Sequence, residues 1–253
     1  MDSLPFEFVN SVAHLVPSDY VFFFSKLSKL WSTIGVTHAG KRLDLNVDVF
    51  TTYWDEIYYG YVIPNRFKES FRRVQKIYED ILDRESQFMR IHKLIYDCRT
   101  PRELKLDENR LKKLKKLLQR VPVHTLSMLE TDSRGDSLEA LEYVWKQPVQ
   151  TLEIRVSSPE EVYAFHLLKN GRLETVKVHY ANLNFMKMLV ESWKRGEMVE
   201  VEREESKRGA EDWEKLGFEA LDVVDGVVDS YRLEVSKIQD GRERKVAFLA
   251  YRY

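Results

Sequence analysis

The sequence predicts an α/β fold in which a short helical segment precedes a parallel-stranded solenoid that ends in a hairpin, and three observations carry that prediction. A motif recurs in the second half: Pro122-Val123-His124-Thr125-Leu126 returns 26 positions later as Pro148-Val149-Gln150-Thr151-Leu152, and Leu173-Glu174-Thr175-Val176 echoes Thr151-Leu152 after 24 more. Within each such unit the hydrophobic period changes from that of a strand to that of a helix. Residues 1–40, by contrast, carry helical periodicity throughout. Repeats in the twenties, each a strand followed by a helix, mark a leucine-rich-repeat-like solenoid, because one unit cannot bury its apolar face alone.

The unit 149–171 shows the pattern. Leu152, Ile154 and Val156 alternate with Thr151, Glu153 and Arg155, as on a half-buried strand. Ser158 with Glu161 then forms a capping box, Pro159 takes the tolerated first helical position, Val162, Phe165 and Leu168 follow at helical spacing, and Asn170-Gly171 closes the helix. Asp136 with Glu139 opens a helix carrying Leu138, Leu141 and Trp145, and Asn182 opens another that ends at Gly196. Upstream, Phe88 to Asp97 reads as a first strand and Leu106 to Arg120 as a helix with Leu111, Leu114, Leu117 and Leu118 on one face. Downstream, Ser230–Ile238 and Arg244–Tyr251 flank Asp240-Gly241, a hairpin signal, and such a hairpin would cover the last open strand edge. The expected organisation is a helical segment over 1–40, an irregular aromatic-rich connector over 41–87, and the solenoid over 88–253.

Composition narrows the function classes. The 253 residues hold 40 basic and 41 acidic side chains, with 43% hydrophobic content, ample for a core and incompatible with disorder as the main state. The one cysteine, Cys98, excludes an internal disulfide, a Cys-rich zinc module or an iron-sulfur cluster held by this chain alone. It fits a reducing compartment, and with neither a secretory leader nor an apolar run long enough to span a bilayer the expected location is cytoplasmic or nuclear.

The first forty residues hold two helices. Leu4-Pro5-Phe6-Glu7 opens the first, with Phe8, Val9, Val12 and Leu15 on its apolar side; Pro17 interrupts, and a second from about Asp19 carries Tyr20, Phe23, Phe24, Leu27 and Trp31. The Leu-Pro-x-Glu start, the break at Val16-Pro17, the restart at Asp19-Tyr20-Val21 and Ser28-Lys29-x-Trp31 resemble an F-box, over residues 4 to about 40. The aromatic run Phe22–Phe24 departs from the usual pattern of small and charged residues. Weak repeats behind such a segment are also similar to the lineage-expanded F-box-like proteins of nematodes. The resemblance implies a substrate-receptor subunit of an SCF-type cullin-RING ubiquitin ligase, docking on the S-phase-kinase-associated adaptor. The contacts it implies are Leu4, Pro5, Phe8, Val12, Leu15, Tyr20, Val21 and Trp31. The alternative for these helices is a cap on the solenoid end.

No phosphate-cradling, zincin or nucleophile-elbow motif occurs, and the histidines fall outside metal-ligand spacing of one another and of Cys98. Neither a catalytic residue, nor a metal site, nor a cofactor is therefore expected. The stretch Arg99–Arg120 holds nine basic and three acidic residues, yet its leucine stripe makes the lysines the solvated side of a packed helix, so nucleic acid is not the expected partner. Glu160 and Glu161 sit in a helix's first turn, where carboxylates are stabilised by the dipole. The more informative surface is the outward strand face: Thr125 and Ser127; Thr151, Glu153 and Arg155; Thr175, Lys177 and His179; Glu200 and Glu202. In parallel register these form columns open to solvent, suited to binding a protein substrate. A free-standing interaction scaffold without a ligase link, or an enzyme whose site is built from strand-end loops, are the rival readings.

Overall fold

The computed structural model describes residues 5–16, 18–51, 57–62, 89–97, 108–129, 141–155, 160–180, 182–199, 213–224, 227–239 and 241–251. They form a mixed α/β protein with a mostly parallel sheet and divide into two compact units. One comprises Met1–Val47, Tyr61–His92 and Asp107–Pro122; the other comprises Asp48–Gly60, Lys93–Leu106 and Val123–Tyr253.

In the first unit, α1 (Phe6–Leu15) starts behind Pro5, whose φ of -59° is already that of a helix and whose missing N–H is not needed there. The expected second helix is divided into α2 (Ser18–Val21), a 3-10 turn (Phe22–Lys26) and α3 (Lys29–Lys41). The tighter turn sends Phe24 inward, edge-on to Trp31 at 5.0 Å between ring centroids, and leaves Phe23 outside. Val9, Ala13, Trp31 and Ile34 form the core between α1 and α3, with Val12, Phe24 and Leu30 packed against it. Gly35 permits the close approach: a Cβ there would lie 2.6 Å from the Cβ of Phe24. Buried His38 bonds Asn10 Oδ1 through Nε2 at 2.8 Å.

The end of α1 is held by two arginines. Arg42 donates to the carbonyls of Ala13 and Val16 at 3.2 and 2.6 Å, and Arg90 donates to that of Val16 at 3.3 Å. These carbonyls are the unsatisfied, partly negative end of the helix, so guanidinium groups suit them. Burial and the neighbouring Arg42 lower the pKa of Arg90, and Asp44 opposes them. The same unit holds α4 (Glu108–Arg120), which buries Leu114, Leu117 and Leu118 and exposes Lys112, Lys115 and Lys116, as the leucine stripe requires.

The expected irregular connector contains two strands, β1 (Leu43–Thr51) and β2 (Ile57–Val62). In β1, Leu45, Val47 and Val49 are buried and alternate with Asp44, Asn46 and Asp48. Beyond them come β3 (Met89–Asp97), β4 (Val123–Met128), β5 (Thr151–Ile154), β6 (Thr175–His179), β7 (Glu219–Val224), β8 (Val227–Gln239) and β9 (Arg242–Tyr251). The second unit holds part or all of each strand, in the order β2-β1-β3-β4-β5-β6-β9-β8-β7.

β3 runs parallel to β4, since Ile91 N–H meets the Pro122 carbonyl at their starts and Leu129 N–H meets the Tyr96 carbonyl at their ends. β4 with β5, β5 with β6 and β6 with β9 are parallel; β9 with β8 and β8 with β7 are antiparallel. Leu126, Leu152, Val176 and Phe248 stand in register as one fully buried row, so the three repeat positions read from the sequence are neighbours. The β8–β9 hairpin covers the free edge of β6 and, with β7, extends the sheet. β9 occupies that edge; Glu200 and Glu202, expected to continue the columns, lie outside the described residues.

Helices connect the parallel strands: α5 (Glu142–Trp145), α6 (Glu160–Ala164) running into a π turn (Phe165–Lys169), and α7 (Leu183–Arg195). α7 follows its sequence signals, with the Asn182 side chain accepting from Phe185 N–H at 2.8 Å and Gly196 left-handed at φ 76°. Trp193 packs edge-on against Phe248 at 6.5 Å, and Lys237 donates to the Trp193 carbonyl at 2.7 Å. Two buried polar side chains join successive repeats: His166 Nε2 bonds the Trp145 carbonyl and Asn170 donates to that of Val149, both at 2.8 Å. The capping boxes read at Asp136 and at Ser158-Pro159 lie outside the described residues.

Candidate functional site

The helices of the first unit carry an unusual surface. Phe8 is 50% and Tyr20 59% exposed, and Pro5 is exposed beside them in sequence. These are the expected adaptor contacts that the structure places in solvent. Others are interior: Val21 is fully buried, Trp31 is a core residue, and Val12 packs against that core. The correction has a simple cause, because two short helices can hold together only by burying the larger part of their apolar side chains against each other. Leu4 and the Leu15 side chain lie outside what the structure describes.

The sequence reading missed four exposed side chains in the same unit: Phe6, Phe23, Leu27 and Val36. Tyr20 and Phe23 lie 6.2 Å apart between ring centroids, and the Lys26 ammonium sits 5.1 Å from the centre of the Phe23 ring. Phe23 and Leu27 were visible as apolar residues, but the 3-10 turn changes the spacing that would have assigned them a face. With Phe8 and Tyr20 the four make six large exposed apolar side chains on this unit, of which Tyr20 and Phe23 are in ring contact.

The outward sheet face of the second unit differs from an open column of polar residues. Thr125, Thr151 and Thr175 do stand in register, each half-buried. In the next row Ser127 and Glu153 are buried, which corrects the expectation that this row is solvated. Lys93 on β3 reaches Glu153 on β5, Nζ to Oε2 at 2.6 Å, and to do so its side chain crosses over β4 at the Ser127 row. His179 Nε2 lies 3.2 Å from the other carboxylate oxygen, and Arg155 approaches that oxygen only to 3.8 Å. His179 in turn stacks on its register partner Tyr251, at 4.7 Å and 12° between ring planes.

Electrostatics fixes the proton positions. Burial pushes the Glu153 carboxyl up, but the bond to Lys93 and the charges of Lys93, His179 and Arg155 outweigh it, and the net shift is downward. Burial lowers His179, and Glu153 only partly restores it. His179 is therefore neutral at neutral pH, and an ionised Glu153 can only accept, so the proton of the His179–Glu153 bond sits on Nε2. Arg155 is exposed and Lys177 half-buried, leaving two cations beside a carboxylate already satisfied by Lys93.

Next to this cluster Tyr180 has φ 60°, the left-handed region. The residue ends β6 while its N–H still donates to the Tyr251 carbonyl at 3.0 Å. Glycine would adopt this conformation freely, whereas a tyrosine held there costs on the order of 1–3 kcal/mol.

Among the described residues there is no group of three or more His, Cys, Asp or Glu side chains placed to hold a metal ion, and no helix long and apolar enough to cross a membrane. Cys98 lies outside them. Comparison of the chain with protein-family models, curated proteins and solved structures gives no match.

Proposed function

We propose that the chain is a substrate receptor of an SCF-type ubiquitin ligase, attached to the S-phase-kinase-associated adaptor through its N-terminal helices and holding a protein substrate on a leucine-rich-repeat-like solenoid. The observation that supports attachment is the exposure of Phe6, Phe8, Tyr20, Phe23, Leu27 and Val36 on the helical unit. Val9, Ala13, Trp31 and Ile34 make the core between α1 and α3, and those side chains lie outside it. The F-box-like spacing from Leu4-Pro5 to Trp31 supplies the identity of the partner. The solenoid reading is supported by the register of Thr125, Thr151 and Thr175 across parallel strands. In this reading the chain binds, and transfer chemistry belongs to other subunits.

Affinity purification of the full chain from a eukaryotic lysate, with mass-spectrometric identification, tests it. The adaptor and a cullin are expected among the recovered proteins. Their absence, with other proteins recovered, would instead favour a scaffold without a ligase link.

A further inference from the structure

The carboxyl ends of β5 and β6 bring three features together. First, Glu153 is already satisfied by Lys93 and His179, at 2.6 and 3.2 Å, so it does not neutralise the rest of its surroundings. Second, Arg155 and Lys177 remain on that face with spare donors: Arg155 is at 3.8 Å from the carboxylate, beyond hydrogen-bond reach, and Lys177 faces Glu153 in register while Lys93 holds the bond. Both cations are near enough to His179 to disfavour its protonation. Third, Tyr180 keeps a left-handed backbone and leaves 67% of its surface in water, at a position where glycine would relieve the strain. Tyr180 directly follows His179 in the chain, and a strained, exposed aromatic residue at that point is an observation that points outward, toward a ligand. Among the described outward positions of β4, β5 and β6, Glu153 is the one carboxylate; Glu219 and Glu234 belong to β7 and β8, past β9.

We infer that Arg155, Lys177 and Tyr180 form a binding site for an acidic peptide segment of a protein partner. The guanidinium pairs with a carboxylate through two parallel N–H donors, the ammonium takes a second carboxylate as a point charge, and the Tyr180 ring covers the peptide between them. His179, fixed between Glu153 and Tyr251, keeps the platform rigid. The ends of parallel strands are where open α/β sheets commonly hold ligands. This deepens the proposed function by naming the substrate class, and depends on it only for calling the partner a substrate.

The test is fluorescence anisotropy of the full chain with a fluorescein-labelled peptide of alternating Glu and Ala, against matching Gln-Ala and Lys-Ala peptides. The Glu peptide alone should bind, more weakly as salt rises. Arg155→Glu with Lys177→Glu should weaken binding by about tenfold or more, and Arg155→Gln, which preserves the fold with less disturbance, by severalfold. Tyr180→Gly should weaken binding at a temperature where circular dichroism shows the variant fully folded, an effect that a purely structural tyrosine would not give. Lys112→Glu with Lys116→Glu, on the exposed side of α4, should change affinity less than twofold. The inference is overturned by a wild-type chain that ignores the Glu peptide, or by α4 variants that lose binding as much as the strand-end variants. Adaptor recovery, measured on the same preparations, fails or succeeds separately and reports on attachment alone.

Discussion

Among the described residues the helical unit carries six of the nine large apolar side chains left exposed, and the sheet unit seven of the nine polar or charged side chains taken out of water. Phe8 and Tyr20 are more exposed than a small folded unit needs, and Ser127, Glu153, His166 and Asn170 are buried where apolar residues would pack more simply. The physical costs differ. An exposed ring forgoes hydrophobic stabilisation that only a partner can supply, but a buried polar group is tolerated only when its hydrogen bonds are made internally. Glu153, His166 and Asn170 have theirs, and the Ser127 hydroxyl, which has no partner among the described residues, is the exception. Changes at the buried positions of the sheet unit should therefore be felt as lost stability, and changes on the helical surface as lost binding.

The largest expected effect is in the buried row. Leu152→Ala should cost about 2–5 kcal/mol in denaturant unfolding, whereas Thr151→Ala, one residue away on the opposite face, should cost less than about 1 kcal/mol. Equal costs would mean that the two faces are not distinct.

Acid should find His166 next. Burial lowers its pKa from 6.5 to about 4, so its neutral form is favoured by folding. The associated stability is fully present above pH 6.5 and lost as pH falls toward 4, on the order of 3 kcal/mol in all. His166→Phe, whatever its own stability, should flatten the stability-versus-pH curve in that window. An unchanged slope would show that His166 titrates normally.

Glu153→Gln should be milder, about 1–3 kcal/mol, because Lys93 keeps some access to water after losing its partner. The depressed carboxyl pKa gives this contribution the opposite position on the pH axis. It is present above 4.5, the ordinary value, and disappears as pH falls through the folded-state value. The difference between wild type and the Gln variant should therefore shrink in acid. Smaller still, Asn182→Ala removes one helix cap and should cost about 1 kcal/mol by thermal melting.

The parallel repeats were legible because Thr151-Leu152-Glu153-Ile154 alternates cleanly and its echoes lie 26 positions before and 24 after; that alone placed Leu126, Leu152 and Val176 in one row. β1 carried the same alternation, but Asp44, Asn46 and Asp48 are residues that strands usually avoid, and the sheet's packing overrode their preference. Strand order was not legible: nothing local says that β9 seats beside β6. Within the candidate sites, sequence alternation put Glu153, Arg155 and His179 on one face, and the structure brings the last two to the Glu153 carboxylate. It could not show that Lys93, sixty positions away, would reach across β4 and bury Glu153. The helical surface was half legible. Phe8 and Tyr20 are outside, while Val21 and Trp31 are inside, because short helices hold together only by burying apolar side chains.

The central claim, that the exposed rings of the helical unit dock on a partner, is tested most directly by mixing the full chain with purified S-phase-kinase-associated adaptor and following complex formation by size-exclusion chromatography. Wild type should co-elute with the adaptor. Phe8→Ala combined with Tyr20→Ala should shift stability by less than about 1 kcal/mol and abolish co-elution, as truncating exposed anchor residues does. A wild-type chain that elutes alone, or a double variant that co-elutes as wild type does, would contradict it.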